Sequence, residues 1–153
     1  MTDPIRKSVT VPLPCDAAFD LFTRDIARWW PTHHTQSAKT GGIPAKIEVD
    51  LHKGGRISEI TPKGQRILWG RIIGWEPGKY LSFSWFPGQD ESDATVVAVA
   101  FTPTPDGTRV DLTQGGPAIL GDLADAVSTS YLRGWTLVLG CCLTCAMREL
   151  VAA

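Results

Sequence analysis

Apolar and polar residues alternate through the first stretch of the chain. Ile5, Lys7, Val9 and Val11 stand against Arg6, Ser8 and Thr10, which is the period-two pattern of a strand, and Pro12 ends it. The period then lengthens. Ala18, Phe19, Phe22, Ile26 and Trp29 or Trp30 recur at spacings of three and four, so they share one helical face. Pro14 suits the first turn of that helix, where its missing N–H is not needed. One or two short helices are predicted, ending at Pro31.

A loop, Thr32 to Pro44, leads to further strand patterns: Lys46 to Leu51, Arg56 to Ile60, Gln65 to Trp75, Lys79 to Phe86, Ala94 to Thr102 and Thr108 to Gln114. Lys53-Gly54-Gly55, Pro62-Lys63-Gly64 and Asp106-Gly107 separate them as hairpin turns do. In Glu76-Pro77-Gly78-Lys79, proline at the second position and glycine at the third predict a type II turn. From about Gly121 to Val151 the period returns to that of a helix, with Val127, Tyr131, Trp135, Val138, Cys142 and Cys145 on one side. Gly134 and Gly140 inside it each cost about 1 kcal/mol against alanine, and close approach to another surface is the reason expected for them. The order predicts an α+β fold: a curved antiparallel sheet of about six to seven strands wrapped around a long C-terminal helix, with two short helices after the first strand. Residues 1–153 form one domain.

Composition narrows the partners. The formal net charge is -1, and no basic run exceeds Arg6-Lys7, which excludes the clustered phosphate-neutralising surface of a nucleic-acid binder. The start MTDPIRKSV has no apolar core, and the run Gly134 to Met147 falls short of the roughly 20 residues of a membrane span. A soluble, cytoplasmic protein away from membranes is expected. The four cysteines are then free thiols.

Several local motifs together resemble a known family. They are PCDAAFDLF from Pro14 to Phe22, IARWWP from Ile26 to Pro31, Gly54-Gly55, and the strand Gly70 to Pro77 leading into Leu81-Ser82-Phe83-Ser84-Trp85. Phe101 followed by Gly107-Thr108-Arg109-Val110, and Gly134-Trp135, complete the set. The chain is similar to the helix-grip domains called SRPBCC or START-like, which share the fold of the birch-pollen allergen, and within them to the AHSA-type homologues of the heat-shock-chaperone ATPase activator. Gly78, where relatives often carry a second proline, and the Cys141-Cys142-x-x-Cys145 cluster depart from that pattern. The resemblance implies a cavity between sheet and helix that takes a small hydrophobic or amphipathic molecule. Its alternative is a partner-binding module that stimulates a chaperone ATPase, and its third reading is a cyclase- or hydrolase-type enzyme. The partners expected are therefore a small hydrophobic molecule, a chaperone as the alternative, and a second copy of the chain.

The candidate cavity wall is aromatic. Leu81, Phe83 and Trp85 share one face of their strand, and Trp69, Arg71, Ile73 and Trp75 share one face of theirs unless a bulge intervenes. Trp69, Arg71, Ile73, Phe83, Trp85, Tyr131 and Trp135 are the expected cavity residues, with Arg71 the one cation among them, inviting an anionic group. A bulge near Gly70 or Gly74 would instead turn Arg71 to water. His33, His34 and His52 lack the ligand count and spacing of a metal site, and neither a metal nor a cofactor is expected. Cys141, Cys142 and Cys145 read first as buried helix residues. Asp16, Asp20, Glu48, Glu59 and Asp111 read as solvated carboxylates. No catalytic residue is assigned, because no nucleophile or nucleotide motif stands at a strand–helix junction.

Overall fold

The computed structural model describes residues 5–31, 37–40, 42, 44–86, 95–115 and 135–148. Strand β1, Ile5–Val11, is followed by helix α1, Cys15–Phe22, with Pro14 at the N-cap in extended conformation. Short 3-10 turns cover Ile26–Arg28 and Ser37–Thr40. Six strands follow: β2 Lys46–Val49, β3 Arg56–Ile60, β4 Arg66–Glu76, β5 Tyr80–Trp85, β6 Thr95–Thr104 and β7 Gly107–Gly115. Residues 135–148 form helix α2. The first half of the long helix expected from Gly121, including Tyr131 and Gly134, lies outside the described residues.

All seven strands join one antiparallel sheet in the order β1-β7-β6-β5-β4-β3-β2. The first strand therefore closes against the last, and the sheet curls. Its inner face carries the alternate residues Val97, Val99 and Phe101 of β6 and Val110 and Leu112 of β7, all buried. Phe19 and Phe22 of α1 meet Phe101 edge-on, at ring-centroid distances of 5.2 and 6.1 Å. Trp135, Val138, Leu139, Cys142 and Ala146 are buried along α2 at spacings of three and four, so one stripe of the helix faces the core.

The turn after β4 is the one expected. Gly78 sits at φ +77°, and the Lys79 amide donates to the Glu76 carbonyl at 2.9 Å, as a type II turn requires.

Strand β4 departs from simple alternation. Opposite β3, Ile57 pairs with Gly70 and Ser58 with Leu68, which leaves Trp69 as an extra residue. Opposite β5, Ile72 pairs with Phe83 and Gly74 with Ser82, which leaves Ile73 extra. Each bulge resets the parity. Trp69, Ile72 and Trp75 accordingly pack on the core, at spacings of three instead of two.

Candidate functional site: a tryptophan box between sheet and helix

Four indoles meet where α2 crosses the sheet. Trp30 lies 5.0 Å from Trp69, 5.8 Å from Trp85 and 6.1 Å from Trp135, centroid to centroid. Trp85 in turn contacts Trp69 at 5.6 Å and Trp135 at 5.4 Å. The rings are tilted or edge-on, the arrangements that aromatic quadrupoles favour. Trp30 reaches the centre because the 3-10 turn before it is anchored. The neighbouring Trp29 indole N–H donates to the Leu21 carbonyl at 2.7 Å, and the Trp30 amide donates to the Ile26 carbonyl at 3.0 Å.

Buried polar groups hold the box at both ends. The Trp69 indole donates to Glu59 Oε1 at 3.0 Å. Glu59 Oε2 accepts from the Ser37 amide at 2.6 Å and from the Ser37 hydroxyl. A carboxylate with no solvent exposure survives only with such partners. At the other end, the Trp135 indole donates to Gln114 Oε1 at 2.7 Å, and Gln114 Nε2 donates to Thr95 Oγ1 at 2.8 Å. The Thr95 hydroxyl in turn donates to the Trp85 carbonyl at 3.3 Å. Trp69 and Trp135 are thereby fixed in rotation as well as position.

Beside the indoles is a small void of about 20 Å³. Its lining includes Phe22, Ile72, Phe83, Trp30, Trp85 and Trp135. The hydroxyl of Thr23, which also borders it, is committed to the Phe19 carbonyl at 2.8 Å. A void of that size and chemistry has room for about one water molecule and offers it no partner.

The expected cavity residues divide. Trp69, Phe83, Trp85 and Trp135 are buried and in or beside the box. Arg71 and Ile73 are not. The bulges at Trp69 and Ile73 turn both side chains outward, and Ile73 is 47% exposed. The carboxylates also need correction. Glu59 belongs to the core, whereas Glu48 stays at the surface and meets Arg66 at 3.1 Å. Asp50 keeps its carboxyl below the usual range by accepting the Arg56 amide at 3.2 Å. Glu59 and Gln114 were overlooked as site residues, yet parity pointed to both. Glu59 follows the inward Ile57 by two positions, and Gln114 follows Leu112 by two.

Of the three cysteines on α2, only Cys142 is buried, while Cys141 and Cys145 are half-buried. Burial, with lesser contributions from the two neighbouring thiols, pushes Cys142 up to about 12. It stays protonated at neutral pH. His33 and His34 lie outside the described residues, and His52 is exposed. Among the described residues no group of His, Cys, Asp or Glu side chains could hold a metal ion, and no helix is long and apolar enough to cross a membrane.

A curled antiparallel sheet gripping one helix across an aromatic interior defines a helix-grip domain of the α+β class. The chain belongs to the activator of Hsp90 ATPase homolog 1-like protein family, whose model matches residues 12–139. No curated protein matches the sequence. Among solved structures, the fold is similar to that of a protein from Rhodobacter sphaeroides, at 17% identity, 95% of this chain, 93% of that one and a TM-score of 0.72. It is also similar to DynU16, a protein of the dynemicin biosynthetic locus, at 18% identity, 94% of this chain, 47% of that one and a TM-score of 0.68. An anthrahydroquino-γ-pyrone synthase, solved as a complex, is 32% identical, with 82% of this chain and 84% of that one covered and a TM-score of 0.59.

Proposed function

We propose that the protein binds a small, flat, largely apolar molecule in the tryptophan box, between the sheet and α2. The observation that carries this reading is the set of four touching indoles, three of which, Trp30, Trp85 and Trp135, line an apolar void, in a family whose fold commonly holds ligands in a cavity. The 32% identity to an anthrahydroquino-γ-pyrone synthase supports a fused aromatic ring system as the ligand class. Binding is favoured over turnover for a chemical reason. The closed void is bordered by carbon and by one hydroxyl already in use, and the buried acid that touches the box, Glu59, already accepts from Trp69 and Ser37, which favours a holding role over acid–base work.

A ligand of this class needs a site of roughly 300 Å³ or more, against the void of about 20 Å³. The box must therefore open first, with Trp30 or α2 moving away from the sheet. Opening before binding has a kinetic signature. In stopped-flow tryptophan fluorescence with a hydroxyanthraquinone, the observed rate is expected to reach a plateau as ligand concentration rises. Arg71→Met is expected to leave the affinity for aromatic acids unchanged, because Arg71 is on the outer face. A rate that rises linearly throughout, or a loss of affinity in the variant, would count against this reading.

The family's description supports a chaperone as a second kind of partner. The outward-facing Ile73 and Val96, exposed at 47% and 46%, are where such a contact would be sought. Charge substitutions there should abolish any co-purifying chaperone while leaving the box intact.

A further inference from the structure

We infer that the molecule held in the tryptophan box carries a hydrogen-bond donor on the edge that faces β7, a phenolic hydroxyl or a ring N–H, and that Gln114 Oε1 is the group that reads it. The inference rests on the function proposed for the box and adds the chemistry by which one flat aromatic is told from another. It starts from the wall that moves. Trp69 and Trp85 belong to β4 and β5, strands with a partner on both sides, and the Trp30 amide is bonded to the Ile26 carbonyl. Trp135 stands on α2, outside the sheet. Displacement of α2 with Trp135 is therefore the opening that leaves every strand ladder intact.

That displacement breaks the indole hydrogen bond to Gln114 Oε1, 2.7 Å long in the closed box. Gln114 itself stays in place. It is buried on β7, and its Nε2 donates to Thr95 Oγ1 at 2.8 Å, while the Thr95 hydroxyl proton is used on the Trp85 carbonyl at 3.3 Å. The same chain fixes which way the amide points. An indole N–H can only donate, so the amide oxygen faces Trp135 and the nitrogen faces Thr95. The opened box thus presents a preset acceptor whose nitrogen is still tethered to the sheet. Glu59 behaves differently, because its partners Trp69 and Ser37 are not on α2 and remain with it.

Gln114 does not line the closed void, since its oxygen is engaged by the Trp135 indole, and it becomes available to a ligand only on opening. Left unpaired beneath a bound apolar molecule, that oxygen lacks the hydrogen bond it makes in the closed box. A ligand hydroxyl or N–H in the place of the indole restores the bond. An ether or an unsubstituted ring edge does not, and a ring carbonyl sets two acceptors against each other. The box therefore selects among flat aromatics by the donor on one edge, with Gln114 as the residue that determines specificity.

The test compares 2-naphthol with 2-methoxynaphthalene by calorimetric titration, with ¹H–¹⁵N spectra of the indole N–H groups to show where each binds. In the unsubstituted protein 2-naphthol is expected to bind about tenfold tighter or more, although the ether is the more apolar of the two. Gln114→Leu, checked for native circular dichroism, should remove that preference. Gln114→Glu keeps an acceptor at the same place and should retain it. The first comparison needs no substitution, so it decides the matter even where Gln114→Leu fails to fold. Equal affinities for the two compounds, with the Trp30 and Trp85 signals shifted by both, would overturn the inference and leave the box as a binding site. A preference that survives in Gln114→Leu would also overturn it. Box signals unmoved by either compound would overturn the box reading and this inference with it.

Discussion

Trp135→Ala is expected to lower stability by about 3–5 kcal/mol, the range for removing a large buried aromatic side chain. Trp135 is 3% exposed and is the residue through which α2 engages the box, touching both Trp30 and Trp85. Its loss opens a cavity at the helix–sheet contact and removes the donor to Gln114 Oε1, leaving a buried acceptor unpaired. Trp135→Phe separates the two effects. It keeps most of the ring contact and loses only the donor, so a smaller cost of about 1–3 kcal/mol is expected. Urea unfolding of both variants measures the difference. Losses under about 1 kcal/mol for the alanine variant would mean that α2 is not held to the sheet through this residue.

Gly70→Ala should be nearly as damaging, by about 3 kcal/mol or more, because the added methyl has nowhere to go. A Cβ at Gly70 would be driven into the carbonyl oxygen of Ser84, which is backbone of β5 and cannot swing aside. The bulge that brings Trp69 inward depends on that close approach. Gly140→Ala is the opposite case. Nothing lies within 4 Å of the missing Cβ, so alanine should stabilise α2 by up to about 1 kcal/mol through helix propensity. Thermal unfolding of the pair should show shifts of opposite sign, and a well-tolerated Gly70→Ala would contradict the bulge at Trp69.

The strands were legible because apolar alternation and turn residues agreed at nearly every junction. β1 runs from Ile5 to Val11 and β3 from Arg56 to Ile60, as the pattern predicts, and the remaining ends move by only one or two residues. Parity along β4 was not legible. Two extra residues, Trp69 and Ile73, turn a run of alternating apolar positions into one with spacing three. A bulge leaves no mark beyond a nearby glycine, and glycine has several other uses in a strand. Of the two placements open for Arg71, the outward one that follows from a bulge near Gly70 or Gly74 is the one found. Glu59 was misread for a different reason. Its burial depends on Ser37, which is 22 residues away in sequence, and no local pattern announces such a partner. The same holds for Gly140. Its place in an apolar helix suggested close packing, yet it borders an open groove.

Entry of a ligand among the indoles can be followed at the six tryptophans, which supply six separate reporters. Trp30, Trp69, Trp85 and Trp135 form the box, Trp29 borders the groove beside α2, and Trp75 packs on Phe19 at 5.0 Å. The deciding measurement is a ¹H–¹⁵N spectrum of the assigned indole N–H groups during titration with a hydroxyanthraquinone. Binding in the box predicts the largest shifts at Trp30, Trp85 and Trp135, with the Trp69 and Trp135 signals reporting any strain on Glu59 and Gln114. Shifts confined to Trp29 and Trp75, with the four box signals unmoved at saturation, would contradict it.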